Sequence, residues 1–320
     1  MDQEATLHLL QDPAIRRFYT NYVGISNDKD LVRHWQAIRS RLSEYGPRYK
    51  CINFYKFVGS RLASRFYYRE LVDMTKQGCQ APVVLDLGCC TGTDLRRLMF
   101  DGYPGDRLYG IDLNKHYIES GYDLFRDRAT CPITFIAGDI LSTTATTTPT
   151  SISSTINNKF TQKAGVVYTG SMIHLLSLDQ LHTLIHHIST HLLDPAGGIF
   201  IGTHVAADTT TSMTRRGNTK QFIAVQDFKD VLEKHQFVDI QLCKEPRRRD
   251  PDENSTTLDT FWLSFKCRLV TATAAAAAAA DKEEGDNDDA VCCDDDDNDG
   301  SSNRCGGGGS RSSSSGNRRS

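Results

Sequence analysis

The chain has 320 residues, enough for one large domain or two small ones, and 39% of them are hydrophobic. Residues 271–320 hold 11 of the 40 acidic residues and 5 of the 37 basic ones, which leaves 29 acidic and 32 basic residues in residues 1–270. The near balance of acidic and basic residues in residues 1–270 argues against a nucleic-acid-binding surface. No apolar run approaches the roughly 20 residues that are needed to span a membrane.

The start of the chain and its cysteines bear on the compartment. Residues 1–4 are acidic and no apolar segment follows them, so no signal peptide is predicted. The ten cysteines contain no C-x-x-C pair. We therefore expect a cytoplasmic protein with reduced thiols.

Residues 1–80 are predicted to form a helical, aromatic-rich cap ahead of the first strand. Residues 14–22 and 30–42 have the apolar stripes of helices. Arg61, Arg65 and Arg69 are four residues apart, so they form either a basic stripe that faces an acidic substrate or a solvated helix face. Eight aromatic residues either line a substrate pocket or pack on the sheet edge and on one another. They are Tyr45, Tyr49, Phe54, Tyr55, Phe57, Phe66, Tyr67 and Tyr68.

Residues 83–112 have the pattern of a strand, a loop, a helix and a second strand. Residues 83–87 are a short apolar run of strand type, and Gly88 and Gly92 then leave a loop where the backbone can approach a ligand closely. Residues 94–100 place apolar side chains at helical spacing, and residues 108–111 form a strand that ends at Asp112. In a parallel sheet, such strand ends bring the ligand-binding loops to one edge.

The spacing of the glycines separates two kinds of nucleotide site. A dinucleotide-binding loop needs G-x-G-x-x-G, which is absent here. Asp86, Gly88 and Gly92 instead fit the D-x-G-x-x-x-G form of a loop that binds S-adenosylmethionine (SAM), a ligand without phosphate. Asp112 follows at the end of strand two, where a carboxylate accepts hydrogen bonds from ribose hydroxyls. Cys90 stands where many SAM loops have a glycine, and the alternative interpretation is a strand, turn and helix with chance glycines.

The ends of the next two strands extend this candidate site. Residues 133–137 form strand three, and Asp139 then either accepts a hydrogen bond from the adenine amine or caps a turn. Ile140 is predicted to cover the adenine ring. Strand four, residues 165–169, leads to Ser171 and His174, which are expected to lie against the methyl donor.

The rest of the chain supplies more strands, one insertion and a tail. Residues 142–162 are rich in serine and threonine and are predicted to be a flexible insertion without a core element. Two histidine pairs in the helix of residues 178–193 lack the glutamate of H-E-x-x-H, so no metal site is predicted. Residues 271–320 are of low complexity and are predicted to be disordered. The last predicted strands cover residues 199–203, 237–243 and 260–270, and the last helix covers residues 225–235.

Several of these segments resemble the motifs of one family. They are Leu85-Asp-Leu-Gly-Cys-Cys, Asp94-Leu-Arg-Arg-Leu, Leu108-Tyr-Gly-Ile-Asp-Leu, Gly121-Tyr-Asp-Leu-Phe-Arg-Asp-Arg and Thr134-Phe-Ile-Ala-Gly-Asp-Ile. The chain resembles the fungal class I methyltransferases of meroterpenoid gene clusters, such as those that make austinol and andrastin. The Cys-Cys pair together with Leu-Phe-Arg-Asp-Arg is the most specific part. The resemblance is dense over residues 83–141, looser over residues 166–193, and faint before residue 82.

This resemblance implies an α/β fold with a Rossmann-like, seven-stranded, mostly parallel sheet, helices on both faces and an antiparallel last strand. It implies SAM as the cofactor and residues 81–270 as the methyltransferase domain. Together with the motifs it predicts nine cofactor-binding residues. They are Asp86, Gly88, Cys89, Gly92, Asp112, Leu113, Asp139, Ile140 and Ser171.

The resemblance also implies a small-molecule acceptor from fungal secondary metabolism. In austinol-type relatives this acceptor is the carboxyl of a farnesylated aromatic polyketide, which becomes a methyl ester. A carboxylate is ionised at neutral pH and needs no base, whereas a phenol would be helped by a base such as His174 or His204. His174 is thus the candidate catalytic residue. The alternatives are a methyltransferase of proteins or other acceptors and a catalytically degenerate SAM-binding scaffold.

Overall fold

Seven strands build the main sheet of the protein. This computed structural model describes residues 2–45, 49–76, 80–142, 154–215, 218–247 and 258–270, all of which fall in one unit of residues 1–276. The seven are Val84–Leu87 (β1), Leu108–Asp112 (β2), Thr134–Ala137 (β3), Val166–Gly170 (β4), Ile199–Ala207 (β5), Phe237–Glu245 (β8) and Thr260–Leu269 (β9), and Thr211–Arg215 (β6) and Asn218–Phe222 (β7) form a separate two-stranded sheet.

The strand order of the main sheet is β3-β2-β1-β4-β5-β9-β8. Strands β1 to β5 run parallel, and β9 is antiparallel to both β5 and β8. This is the arrangement of a class I methyltransferase, so the predicted fold is confirmed. The order reverses between β1 and β4, and open α/β sheets bind ligands in the crevice at such a reversal.

Helices cover both faces of this sheet, as predicted. They are Asp2–Gln11 (α1), Pro13–Phe18 (α2), Asp28–Glu44 (α3), Lys50–Asn53 (α4), Tyr68–Asp73 (α5), Thr93–Phe100 (α6), Lys115–Phe125 (α7), Ser154–Lys159 (α8), Leu178–His187 (α9) and Val225–Lys234 (α10). Side chains of β1 alternate between two apolar clusters because successive residues of a strand face opposite ways. Leu85 belongs to the cluster that includes Leu184 of α9, and Val84 belongs to the one that includes Leu95 of α6.

The N-terminal helices enclose an aromatic cluster that packs on α7. The ring of Trp35 lies 5.2 Å from the ring of Tyr19, centre to centre, and Phe18 lies 5.6 Å from Phe125 of α7. Of the eight aromatic residues from the sequence, three are fully buried, and packing accounts for them. They are Tyr55, Phe57 and Tyr67.

Arg61, Arg65 and Arg69 do not lie on one helix face, which both alternatives from the sequence assumed. Arg61 precedes a 3-10 turn at Leu62–Ser64, Arg65 follows that turn, and Arg69 lies in α5. Because the segment is broken between them, the three side chains share no helix face. Helical spacing in a sequence predicts a common face only where the helix is continuous.

The prediction that residues 142–162 add nothing to the core is wrong for the end of that segment. Helix α8 buries Ile156, and Phe160 just after it packs its ring 5.2 Å from that of Tyr109. Two apolar residues are enough to attach this polar segment to the core, because both belong to the main apolar cluster. Residues 143–153 and the predicted tail, residues 271–320, lie outside the described residues.

Strands β6 and β7 form a hairpin between β5 and α10 that the sequence did not predict. Its sequence is mostly polar and lacks the alternation by which a half-buried strand is recognised. The hairpin ends at Phe222, which is buried with Val205 and packs near Trp262 of β9. In the described part of the chain, no helix is both long enough and apolar enough to cross a membrane.

A buried ion pair joins α6 to the residues just after α7. The Arg96 side chain is 1% exposed, and its Nε and Nη2 donate to the two carboxylate oxygens of Asp127 at 2.6 and 3.0 Å. Its Nη1 donates to the carbonyl of Thr91 at 2.8 Å, and the guanidinium lies 4.7 Å from the ring centre of Phe125. The hydroxyl of Tyr22 also donates to Asp127, at 2.7 Å. The pair therefore connects the N-terminal helices, α7 and the loop.

We predict that Asp127→Asn lowers the free energy of unfolding by about 3 kcal/mol or more, because it leaves the Arg96 charge buried without a counter-charge. Urea denaturation followed by circular dichroism measures this change. Asp208→Asn is the matched control, since Asp208 is an exposed partner of Lys244 and exposed pairs contribute little. Equal losses in the two variants would contradict a special role for the buried pair.

Candidate active site

The loop between β1 and α6 is fixed by backbone hydrogen bonds and by residues in left-handed conformations. The amides of Gly88 and Cys89 donate to the carbonyl of Ile111 at 2.8 and 3.1 Å. Gly92 has a φ of +68°, and a Cβ there would lie 2.5 Å from an aromatic ring, so only glycine fits. Cys90 also has a positive φ, +52°, which costs a residue with a Cβ about 1–2 kcal/mol.

Asp112 links the end of β2 to this loop. One carboxylate oxygen accepts from the amide of Cys90 and the other from the amide of Asn114, both at 2.8 Å. Each oxygen keeps a lone pair for a ligand. Burial raises the pKa of Asp112, and the two backbone hydrogen bonds oppose that change. Hydroxyl donors of a ribose would complete this environment.

The residues after β3 and β2 lie along the same edge of the sheet. Asp139 accepts from the amide of Leu141 at 2.9 Å, so it caps the turn and still has acceptor capacity. Ile140 is buried, and its carbonyl lies 2.9 Å from Nδ1 of His187. Leu113 is 73% exposed directly after Asp112. An exposed apolar side chain next to an acidic residue at a strand end is suited to cover a flat ring such as adenine.

Asp86 carries a buried carboxyl in the middle of β1. Among the residues that the structure describes, none hydrogen-bonds to this carboxyl. Burial, followed by the charges of Asp94 and Asp112, raises its pKa well above the ordinary value. A cationic ligand nearby would favour the ionised form, and SAM carries both a sulfonium and an ammonium. The orphaned carboxyl and the acceptors at the sheet edge therefore fit SAM.

Ser171 and His174 lie just beyond β4, on the other side of the loop. Ser171 has a φ of +65°, and its amide donates to the carbonyl of Thr203 at 2.7 Å. His174 is buried, its Nδ1 has no partner among the described residues, and its ring lies 6.3 Å from that of Trp262. Burial, with the charges of Lys220 and other basic groups, lowers the pKa of His174 well below its ordinary value.

His204, the other histidine considered as a base, is not suited to that role. It lies within β5, fully buried, with its ring 4.6 Å from that of Phe228. One ring nitrogen lies 3.2 Å from the carbonyl of Val205. Burial lowers the pKa of His204 to about 4. This histidine is a packing residue of the sheet.

Asp94 is a site residue that sequence reasoning missed. Its Oδ1 accepts from the hydroxyl of Ser60 at 2.6 Å and from the amides of Arg61 and Leu62 at 2.8 and 3.0 Å. Its Oδ2 accepts from the hydroxyl of Tyr168 at 3.1 Å. An aspartate in the first turn of a helix is an ordinary feature, so the sequence holds no signal for these distant partners.

No protein-family model matches the chain. Methyltransferase ausD of Aspergillus calidoustus is 32% identical over 196 residues, which cover 61% of this chain and 65% of that protein. The asnovolin E/chermesin D methyltransferase nvfJ of Aspergillus novofumigatus is 30% identical over 217 residues, 68% of this chain and 73% of that protein. The O-methyltransferase atr3 of Stereocaulon alpinum is 30% identical over 61% of this chain and 53% of its own length. The chain thus spans less than two thirds of ausD and of atr3.

Solved structures of methyltransferases are also similar, at lower identity. Magnesium protoporphyrin IX methyltransferase from Synechocystis is 15% identical, with a TM-score of 0.46 over 81% of this chain and 100% of that one. The 1,6-didemethyltoxoflavin-N1-methyltransferase of Burkholderia thailandensis is 14% identical, with a TM-score of 0.46 over 75% of this chain and 90% of that one.

We predict that Asp112→Ala weakens SAM binding roughly ten- to hundredfold, because hydrogen bonds to a charged group contribute about 1.5–3 kcal/mol. Isothermal titration calorimetry measures the affinity. Asp106→Ala is the control, since Asp106 is an exposed carboxylate before the other end of β2. Unchanged affinity in Asp112→Ala would remove Asp112 from the binding site.

Proposed function

The chain belongs to the family of fungal secondary-metabolite methyltransferases represented by these relatives, and from that premise we propose that it is itself a SAM-dependent methyltransferase. The observation that carries the proposal is the hydrogen bond from the amide of Cys90, in the glycine loop, to Asp112, which joins the loop to the end of β2 near the buried carboxyl of Asp86. A scaffold that had lost SAM binding would have no need to keep a buried, unpaired carboxyl, since burying one without a partner is unfavourable.

The residues of the loop edge would hold the cofactor. Asp112 would accept hydrogen bonds from the ribose, Asp139 would accept one from the adenine amine, and Leu113 would cover the ring. Bound SAM supplies a methyl group that its sulfonium activates toward nucleophiles. The protein then mainly has to orient an acceptor atom toward that methyl group.

We propose a small-molecule acceptor with a carboxyl or hydroxyl group. Support comes from an apolar cluster of Trp262, Phe222 and Met213, in which the ring of Trp262 lies 5.4 Å from the guanidinium that donates to Ser171. Such surfaces bind aromatic small molecules. The printed names of two relatives, an asnovolin E/chermesin D methyltransferase and an O-methyltransferase, agree with acceptors of this size and chemistry.

An assay with methyl-labelled SAM tests this function. The full chain is incubated with a panel of aromatic carboxylic acids and phenols, and the label in the extracted products is counted. We expect label in at least one acid or phenol, and less of it with Asp112→Ala. Failure of the wild-type chain to bind SAM in calorimetry would contradict the proposed function.

We predict that His174 is not an obligatory general base. Burial, followed by nearby positive charges, lowers the pKa of His174 and so makes it a weaker base, and a carboxylate acceptor has no proton to be removed. Single-turnover methyl transfer by His174→Gln should fall at most about tenfold, and the wild-type profile should show no titration near the ordinary histidine pKa. A loss of about 10²–10⁴ together with such a titration would identify His174 as a base that acts on a phenol.

A further inference from the structure

Arg61 is held at the edge of the candidate site by its backbone. Its amide and that of Leu62 donate to Oδ1 of Asp94, at 2.8 and 3.0 Å. Asp94 lies in the first turn of α6, directly after the glycine loop. The position of Arg61 is therefore tied to the same helix that shapes the cofactor loop.

The guanidinium of Arg61 lies over the end of β4. Its Nη1 donates to the hydroxyl of Ser171, and its centre is 5.4 Å from the ring centre of Trp262. The segment after Ser171 adjoins the cofactor loop, since a Cβ on Gly88 would lie 3.0 Å from the sulfur of Met172. Arg61 thus lies between the cofactor loop and the apolar cluster of Trp262.

Arg61 differs from the arginines near it in having no carboxylate partner among the described residues. Arg65 forms an ion pair with Glu245, and Arg69 forms one with Asp73 at 3.1 Å. The Arg61 guanidinium is half-buried and uses one of its five N–H donors on the Ser171 hydroxyl. A half-buried guanidinium with free donors is suited to an anionic ligand.

The surroundings of Ser171 and His174 are also positive in charge. Lys220 of β7 and Arg247 beyond β8 join Arg61 among the groups that disfavour protonation of His174. These three cations come from three separate parts of the chain, and each acts on His174.

We propose that Arg61 binds the carboxylate of the methyl acceptor and thereby selects aromatic acids over neutral acceptors. This inference rests on the proposed function. One carboxylate oxygen faces Arg61, while the other attacks the methyl carbon of SAM. The new C–O bond forms as the C–S bond breaks, sulfur keeps the electron pair, and the products are a methyl ester and S-adenosylhomocysteine, with no proton transferred. Because the ester is neutral, its contact with Arg61 weakens and favours product release.

Binding of a matched pair of probes tests the proposal. The full chain is saturated with S-adenosylhomocysteine and titrated with 2,4-dihydroxybenzoate or with its methyl ester, and binding is followed by NMR up to about 10 mM, where affinities near 1 mM are measurable. The variants are Arg61→Gln, which removes the charge, Arg61→Lys, which keeps the charge without the planar fork, and the exposed control Arg69→Gln. Affinity for S-adenosylhomocysteine is measured for each variant as a check on the fold and the cofactor site.

We expect Arg61→Gln to lower the affinity for 2,4-dihydroxybenzoate roughly ten- to hundredfold, the range for a hydrogen bond to a charged group. Arg61→Lys should lower this affinity less. All variants should bind the methyl ester with the same affinity. Arg69→Gln should bind the acid with the affinity of the wild type. The proposal is overturned if Arg61→Gln binds the acid as the wild type does, if the loaded wild type binds no acid, or if Arg61→Gln loses S-adenosylhomocysteine as well. A wild type that does not bind S-adenosylhomocysteine would refute the proposed function itself.

Discussion

The buried pair of Arg96 and Asp127 is the interaction on which the candidate site depends. A buried charge is tolerated only when its hydrogen bonds are satisfied, and here both carboxylate oxygens and all three guanidinium nitrogens have partners. One of those partners is the carbonyl of Thr91 inside the cofactor loop. The requirement to satisfy Arg96 therefore fixes a loop carbonyl, and the next amide, that of Gly92, donates back to the carbonyl of Cys89 at 2.7 Å. The conformation of the loop thus depends on the buried guanidinium of Arg96.

Close packing reinforces this constraint from α7. A Cβ on Gly121 would lie 2.2 Å from the carbonyl oxygen of Thr91, the same atom that accepts from Arg96. Two of the motifs that resemble the family therefore contact the same atom, the carbonyl oxygen of Thr91. They are Asp94-Leu-Arg-Arg-Leu and Gly121-Tyr-Asp-Leu-Phe-Arg-Asp-Arg. The first contributes Arg96, and the second contributes Gly121 and Asp127. Motifs that are separate in the sequence belong to one structural unit.

The parts of the fold that the sequence predicts are those with a local physical signal. Val84–Leu87 is apolar apart from Asp86 because both faces of a central parallel strand are buried, and the position of Asp112 follows from where β2 ends. The hairpin of β6 and β7 has no such signal, because its polar residues neither alternate nor form an apolar run. Asp94 was missed for another reason, because its partners are 32 to 74 residues away in the chain and only the fold brings them together. The sequence singled out Arg61 only by its spacing from Arg65 and Arg69, since its contact with Ser171 spans 110 residues.

The cofactor side and the acceptor side of the site have different origins in the chain. In the proposed site, the cofactor would be held at the ends of β1, β2 and β3, which lie in the stretch where the family motifs are dense. The acceptor side would be formed by Arg61 before β1, by the hairpin after β5 and by Trp262 of β9. Asp94 joins the two sides, because it holds the backbone of Arg61 while it sits in the helix that follows the cofactor loop. A substitution on the acceptor side can therefore leave the geometry of the cofactor loop unchanged. Under the proposal, replacing the charge of Arg61 would change which acceptor is bound.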